Sequence, residues 1–529
     1  MKAKGKIMGS LAAVMAGSLL LSACGSSETK SPSATSAGNG GNEGGFGKQM
    51  KITAYHSAAY HPEVPMPARE EDPIRQMMEK AVNVDFNMII PPADQKVTKL
   101  NTMIASGDIP DMIFMPDRGT AVQYYEQGIL ADLDSYIKDY PALQSRFKPE
   151  EWEAMKYKGK TIGTPGYEFV NGISSWWIRN DWLTKLGLKA PTNPDELLTV
   201  MKAFTFNDPD GNGKNDTYGF VAGIGKDGNL SGAWGMIFWM FGVNPNVVDM
   251  VNGKLTFDNT DSRMQEALAY IKTMLDAKVV DPDWVTINDG TANDKKMYSG
   301  KVGILINDWR RMETNTQQAM KEVSGEIPDW IVFPPVKGPH GDQTVGLKSF
   351  QNNSWAISKT AAKDPEKVKR ILALLQYWYT DKDFYPWANY GIKGIHWDLA
   401  DGKIQRLTDN LNNRELMNKY IWTSNYALSR RADDALYFNF TNPKTSDFHK
   451  INLQYIRPNP VNPFVMPDPN DTLYSDRIKY VNESLLKFMM GKEPLSNWDN
   501  YVKTLETKFE YTKYKEYAAK QLKDAGLLK

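Results

Sequence analysis

Beyond residue 48 the chain alternates short apolar runs with stretches whose apolar residues recur every three or four positions. Lys51-Ile52-Thr53-Ala54-Tyr55 and the run 84–90 read as strands, and the periodicity between them predicts a helix near 73–82. A second helix is expected over 95–105, closed by Ser106-Gly107, and then an apolar strand, Met112-Ile113-Phe114-Met115. This alternation is that of a largely parallel sheet covered by helices. A second α/β stretch follows, with Trp176-Trp177-Ile178-Arg179, helices over 195–204 and 264–275, and a strand over 302–306. After Ser354-Trp355-Ala356-Ile357 the pattern turns helical, over 365–379 and again across 476–522. No repeat of about 20–50 residues is visible, which sets aside solenoids and propellers.

The first 23 residues break this pattern. Lys2, Lys4 and Lys6 precede an apolar, small-residue stretch over 7–21 that is too short to span a bilayer, so 1–23 reads as a signal peptide. Its end, Leu21-Ser22-Ala23-Cys24, resembles the lipobox of bacterial lipoproteins, which implies cleavage before Cys24 and acylation of that residue, with palmitate among the acyl chains. Cys24 is the one cysteine of the chain, so no disulfide framework can form within it. Each buried acyl methylene contributes about 0.8 kcal/mol, and several chains on one residue make a durable anchor. Residues 25–48 are rich in Gly, Ser, Asn and Thr, and with Cys24 they form an expected flexible tether over 24–48. Its root-mean-square reach is on the order of 25–30 Å.

Composition narrows the classes further. The 529 residues carry 63 basic and 63 acidic groups, and 41% are hydrophobic, enough for real cores in more than one domain. That balance argues against a nucleic-acid partner, because such proteins concentrate Lys and Arg against phosphates. Removing the leader leaves the surface nearly neutral, so attachment to a membrane would rest on the acyl anchor.

Several phrases resemble a known family. Ala105-Ser106-Gly107-Asp108-Ile109-Pro110-Asp111-Met112-Ile113, Gln127-Gly128-Ile129-Leu130-Ala131-Asp132-Leu133, Ile178-Arg179-Asn180-Asp181-Trp182-Leu183 and Ser299-Gly300-Lys301-Val302-Gly303-Ile304 are similar to those of family 1 extracellular solute-binding proteins. With Asn389-Tyr390-Gly391-Ile392-Lys393-Gly394-Ile395-His396-Trp397 they run, in the family's order, over most of the mature chain. The likeness is strongest to the large lipoprotein branch of Gram-positive bacteria, which serves carbohydrate ABC importers. It implies an α/β, two-lobe fold of the periplasmic-binding-protein kind, a Venus flytrap with hinge crossings and a helical C-terminal region. The lobes are then expected at 49–172 with 355–420, and at 173–354 with 421–529, crossing near Gly172 to Ser175, near Asn353 to Trp355, and past Trp397. The implied partners are an oligosaccharide held between the lobes and the permease subunits of an importer. A monomer, lipid-anchored on the extracellular face of the cell membrane, is expected.

The sharpest chemical signal is Asp208-Pro209-Asp210-Gly211-Asn212-Gly213-Lys214-Asn215-Asp216. Asp208, Asp210, Asn212 and Asp216 occupy positions 1, 3, 5 and 9 of an EF-hand calcium loop, Gly213 the turn position, and Lys214 the position that offers a carbonyl. Gly219 stands where the bidentate Glu belongs. The resemblance adds that relatives often carry an acid directly after the ninth position, where this chain has Thr217. A structural Ca2+ is expected here, against a solvated Asx-rich turn as the alternative.

Fifteen tryptophans and 25 tyrosines are the second signal, since flat aromatic faces complement the C–H faces of sugar rings. Most must be core. Trp309 follows the apolar strand, and in relatives an aromatic at that turn stacks on the sugar, so it is the leading candidate, with Asp308 and Arg310 as hydroxyl or carboxylate partners. Trp234, with Trp239 near it, falls where relatives place a second platform. Tyr55 and His56 end the first strand. Asn352 and Asn353 stand at the proposed return crossing, and Trp397 follows the Gly391 to His396 turn.

Catalysis has no named residue behind it. The five histidines, His56, His61, His340, His396 and His449, lack metal spacing, and neither HExxH nor GxSxG occurs. A surface glycosidase or polysaccharide-processing lipoprotein is the alternative to binding, and a scaffold or adhesin a third reading. A glycosidase needs two carboxylates about 5–10 Å apart, and among 63 acids no pair stands out.

Overall fold

In a computed structural model the described chain covers residues 46–528, apart from short interior stretches of which 167–173, 309–313, 350–353 and 428–442 are the longest. The signal peptide, Cys24 and the tether up to residue 45 lie outside the described residues.

The first third alternates as the pattern predicts: β1 (Met50–His56), α1 (Pro73–Val82), β2 (Val84–Ile89), α2 (Lys96–Ser106), β3 (Met112–Met115) and α3 (Arg118–Glu126), then the short β4 (Thr164–Pro165). Local chemistry sets the boundaries. Asp72 caps α1 by accepting from the Arg75 N–H, Pro73 opens it, and Asn83 ends it in the left-handed region. Gly107 does the same for α2 at φ +80°, and Asp117 caps α3 through the Thr120 N–H.

The second part contains β5 (Ser174–Arg179), α4 (Pro194–Phe206), β6 (Tyr218–Phe220), α5 (Ala233–Met240), the hairpin β7 (Val248–Val251) and β8 (Lys254–Phe257), α6 (Ser262–Asp276), β9 (Val302–Asp308) and β10 (Trp330–Val332). Then come β11 (Gly346–Ser349), β12 (Ser354–Ile357), α7 (Pro365–Thr380), the hairpin β13 (Trp397–Ala400) and β14 (Lys403–Arg406), and β15 (Ile456–Asn459). Three helices finish the chain: α8 (Tyr474–Met489), α9 (Trp498–Thr507) and α10 (Tyr511–Asp524).

The strands form two principal sheets. One has the order β2-β1-β3-β12-β4, the other β10-β5-β9-β6. In the first, β1, β2 and β3 run parallel and β12 runs against them, with Ser354 opposite Met115 and Pro165. In the second, β9 and β6 are parallel and β5 runs against β9, with Ser174 opposite Asp308. β11 pairs in parallel with β15 beside them.

Each sheet has a core of its own, and a third cluster joins Trp177, Leu305 and Trp330 of the second sheet to Tyr385, Tyr390, Trp397 and Ile404. Phe86, Phe114, Trp355, Leu375 and Trp378 fill the first, under α1 and α7. Trp176, Phe204, Trp234, Ile271 and Ile304 fill the second, which α8, α9 and α10 extend with Phe488, Trp498 and Tyr511.

Two boundaries differ from expectation. The tether ends earlier than residue 48: the Asn83 amide donates to the carbonyls of Phe46 and Gly47 at 3.1 and 2.7 Å, and the Arg370 guanidinium lies 4.1 Å from the Phe46 ring centre. The segment after residue 420, expected in the second lobe, packs in the first. Trp422 and Tyr426 belong to its core, the Trp378 indole donates to the Tyr426 carbonyl at 3.1 Å, and the Tyr426 hydroxyl donates to buried Asp72 at 2.6 Å. The chain therefore packs on the first core as late as Tyr426, past Trp397 as expected but beyond the expected bound of 420.

Burial displaces several titrations. It pushes His56 down to about 4, although the Asn425 carbonyl works the other way. It lowers His396 to about 4, with Arg406 adding to the effect, and His449 to about 3. Asp258 is raised to about 8 by burial, opposed by the Asn244 N–H and reinforced by Asp249. Below pH 6.5 the unfolded histidines take up protons that the folded ones refuse, so stability falls with acid until their folded values are reached. Asp258 acts oppositely: its carboxyl is ionised in the unfolded chain and protonated in the folded one, so stability falls as pH rises towards 8. Stability should therefore pass through a maximum near pH 6.5, falling on the acid side by at most about 1.4 kcal/mol per pH unit for each net proton. Urea unfolding across pH 4–9 checks this: His56→Asn should flatten the acid limb and Asp258→Asn the alkaline one.

Candidate functional site

Two strand registers bring the carboxyl edges of the sheets to the same connections. In the first sheet that edge carries His56, Ile89, Met115, Pro165 and Ser354. In the second it carries Asp308 and Ser174. The connection from β4 to β5 joins Pro165 to Ser174, and the one from β11 to β12 ends at Ser354. Ligands of open α/β sheets sit beyond such edges, where loops replace the paired backbone.

At the second sheet's edge Asn307 and Asp308 are mostly buried, and the Trp177 indole donates to the Asn307 carbonyl at 3.0 Å, fixing the end of β9. At the first, the Ser57 hydroxyl donates to the Phe114 carbonyl at 2.5 Å, and the loop after β1 is held by Asn425, whose side-chain oxygen accepts from the His61 N–H at 2.9 Å. Asn425 sits 364 residues away in sequence and is fully buried. Neither periodicity nor motif marks it, because its role exists only once 421–427 packs on the first lobe.

The predicted site residues divide into two groups. Asp308 stands on the carboxyl edge. Trp309, Arg310, Asn352 and Asn353 lie outside the described residues. The others are interior. Trp234 is wholly buried, with Phe220 and Trp284 at ring-centre distances of 6.0 and 5.3 Å, so it is a core residue and not an exposed platform. Trp239 belongs to the same core. Tyr55 does end β1, but its ring is buried against Leu100 and Ile113 and its hydroxyl donates to the Lys96 carbonyl at 2.6 Å. His56 is enclosed by Phe114 and Trp355, with centroids at 5.4 and 6.1 Å, and is neutral. Trp397 is buried, its indole donating to the Gly391 carbonyl at 2.7 Å. Their positions in the chain are edge positions, yet local packing turns each ring inward.

The loop after α4 has the hydrogen bonds of an EF-hand turn. Asp208 accepts from the N–H groups of Asn212 and Gly213 at 3.0 and 3.1 Å, and the Asn212 side-chain oxygen accepts from the Lys214 N–H at 2.8 Å. The Asn212 amide group donates to Asp210 and Asp216 at 2.8 and 3.1 Å. Burial pushes the Asp210 carboxyl up; the Asn212 N–H opposes that, and the Asp208 and Asp216 carboxylates push it further. Lys301 pairs with Asp216, and the Lys185 ammonium donates to the Pro209 carbonyl at 2.9 Å. Gly219, at the twelfth position, could carry no side chain without moving backbone: a Cβ there would lie 2.5 Å from the Met201 Cα. Thr217 is turned inward, its hydroxyl donating to the Phe204 carbonyl at 2.8 Å. The side chains are hard oxygen donors and fit calcium's preference, without the bidentate acid. Among the described residues no three acidic or histidine side chains converge closely enough to hold an ion as they stand. No helix among them is long and apolar enough to cross a membrane.

Comparison with known proteins places this architecture. The model of the bacterial extracellular solute-binding protein family matches residues 67–383. Lipoprotein LipO of Bacillus subtilis (strain 168) is 28% identical over 68% of this chain and 70% of its own. The polygalacturonan/rhamnogalacturonan-binding protein YtcQ of the same organism is 26% identical over 88% of this chain and 90% of its own. Among solved structures, the substrate-binding protein FusA of Streptococcus pneumoniae in complex with kestose superposes with a TM-score of 0.64 at 20% identity, covering 90% of this chain and 99% of FusA. An EF-hand mutant of FusA, in complex with fructo-nystose, gives the same score. These neighbours share the two-lobe fold, and the family is one of binding proteins, not of enzymes. With its match covering every strand of the second sheet and every strand of the first but β1, this chain belongs to the bacterial extracellular solute-binding proteins.

Proposed function

We propose that this protein captures an oligosaccharide outside the cell by closing its lobes over it, and presents it to the permease of an ABC importer. The observation that carries the reading is that the carboxyl edges of both sheets, at Pro165 and Ser354 in one and at Ser174 and Asp308 in the other, adjoin the connections between the sheets. The ligands of FusA and YtcQ, both carbohydrates, support the solute class. Closure follows if the sugar binds the closed state more tightly than the open one, since only that difference shifts the equilibrium. Trp309, directly after Asp308, remains the proposed stacking platform, with Asp308, Arg310 and Asn353 as polar partners. The division of lobes that best suits the packing is 46–165 with 354–427, and 174–349 with 443–528, except that Tyr385, Tyr390, Trp397 and Ile404 share a buried cluster with Trp177, Leu305 and Trp330 of the second sheet. Cys24 would carry the acyl anchor, and the chain would act as a monomer.

The loop at 208–216 would hold a structural Ca2+ through the side chains of Asp208, Asp210, Asn212 and Asp216 and the carbonyl of Lys214. When bound, the ion supplies positive charge to crowded carboxylates. Lys301 already does part of this, so the loop keeps its shape with or without it.

Two measurements test these readings. In a thermal-shift screen of the full chain against fructooligosaccharides and pectic oligogalacturonides, one class should raise the melting temperature by several degrees at about 100 times its Kd, equivalent to about 2.7 kcal/mol, and no reducing ends should appear. Trp309→Ala should weaken that binding about tenfold or more. Release of reducing ends would favour the hydrolase instead, and unchanged affinity would remove Trp309 from the site. For the loop, adding a chelator should lower the melting temperature, and Asp210→Asn should abolish the difference between calcium and chelator. A chain indifferent to the chelator has its loop held by Lys301 alone.

A further inference from the structure

One short piece of chain carries the second lobe back onto the first. After β15 the Asn459 amide donates to the Val248 carbonyl at 2.9 Å, and its side-chain oxygen accepts from the Val461 N–H at 3.1 Å, which ties the start of this piece to the β7–β8 hairpin. Further on, the Met466 N–H donates to the Gln521 side-chain oxygen on α10 at 3.0 Å. That helix belongs to the second lobe, where Tyr511 is part of the core. The segment is thus anchored at both ends on one lobe.

Between these anchors its side chains rest on the other. The Arg118 guanidinium lies 4.9 Å from the centre of the Phe464 ring. The Met466 methyl occupies the space beside Gly119, where a Cβ would come within 1.9 Å of it. Arg118 is not free to follow a moving partner: its Nε donates to the Ala154 carbonyl at 2.8 Å and one Nη to the Lys156 carbonyl at 2.7 Å. Nearby, burial raises the Tyr517 phenol on α10, with second-lobe Asp468 and, more weakly, first-lobe Tyr157 adding to the rise, so the lobes also approach there.

The location gives the contact its meaning. Arg118 and Gly119 open α3, three and four residues past Met115 at the carboxyl edge of β3. The contact therefore sits beside the carboxyl edge of the first sheet, the edge assigned to the ligand. Gly119 is not in a left-handed conformation, and at the start of a helix nothing in the backbone demands glycine. What a Cβ there would displace is the terminal methyl of Met466, the flexible end of that side chain.

We propose that Phe464 and Met466 form a clasp between the lobes, seated on Arg118 and Gly119, that holds the α3 end of the cleft shut and so biases the molecule towards its closed arrangement before any ligand arrives. Its consequence for affinity rests on the hinge-closure reading above, but the clasp itself does not. The clasp is a few atoms wide, and a cation over one aromatic face shifts a two-state equilibrium by a small factor, about three- to tenfold.

The test needs no sugar. Spin labels on cysteines introduced at Lys158 and Lys520, in the full chain with Cys24→Ser, report the separation of the β-turn before β4 from α10 by pulsed electron resonance. The parent should give a narrow, short distance distribution. The Phe464→Ala/Met466→Ala double variant should lengthen the mean by more than the parent's width, with unchanged circular dichroism. Gly119→Ala should lengthen it less, since only the flexible end of Met466 has to move, and Gly119→Ala/Met466→Ala should recover part of that change, because the truncated side chain leaves room. A distribution indifferent to all three variants overturns the clasp. A lengthened one in a protein that binds no sugar upholds the clasp while counting against the proposed ligand.

Discussion

β12 enters the middle of the first sheet and is paired along both edges, to β3 on one side and β4 on the other. Trp355 and Ile357 point into the core under α7, while Ala356 packs on the opposite face with Tyr55 and Ile113. A slip of one residue would exchange an indole for a methyl in two cores at once, so the register is fixed. That register places Ser354 against Met115 and Pro165, and the β5–β9 pairing places Ser174 against Asp308. Both ends of the connections between lobes are thereby set. A stretch between two such fixed ends is the ordinary location of a hinge.

Dense aromatic packing makes each lobe a body that turns without bending. In the second lobe Tyr480 stacks on Phe509 at 4.4 Å and on Tyr501 at 5.7 Å, and Arg477, buried, crosses the Tyr514 ring at 5.1 Å while donating to the Phe509 carbonyl. In the first, Phe86, Trp355 and Tyr426 surround Trp378. Interiors packed at crystal-like density do not deform continuously. Differential contact with a ligand, or with the Phe464–Met466 segment, is consequently expressed as a change in how often the lobes meet.

Much of this architecture is legible in the amino-acid sequence, and what is not has physical reasons. The strand Met112–Met115 and the helix Pro73–Val82 coincide with their predicted bounds, because apolar continuity and a proline-to-asparagine frame define them locally. The strand predicted over 302–306 runs on to Asp308, two polar residues that pair with Ser175 and Ser174 only in the folded sheet. The loop at 208–216 is equally local, a turn of Asx and glycine residues whose hydrogen bonds close within five positions. Trp234 has small neighbours in Gly232 and Gly235, a sequence sign of an open face, but Gly235 is small because Asn244 packs on it, 3.2 Å from where a Cβ would stand. Trp422 and Tyr426 carry no signal of their lobe, since their partners, Asp72 and Trp378, are distant in sequence. Periodicity tells which way a residue faces on its own element, not which element comes to cover it.

The same distinction governs specificity. The groups placed to meet a ligand follow strand ends, on loops whose residues have no hydrophobic period to preserve. The sheets beneath them answer to packing alone, which is why a TM-score of 0.64 survives at 20% identity. A scaffold retained under such divergence supplies two edges and a line to turn about; it holds no information on which hydroxyls are to be bonded. Under the proposed reading that information resides in the few side chains beyond the strand ends, and the aromatic count of the whole chain, mostly spent on cores, is a poor guide to them. An aromatic becomes a sugar platform only where the sheet ends and no helix covers the ring, a condition that Trp234, Trp397 and Tyr55 fail by burial.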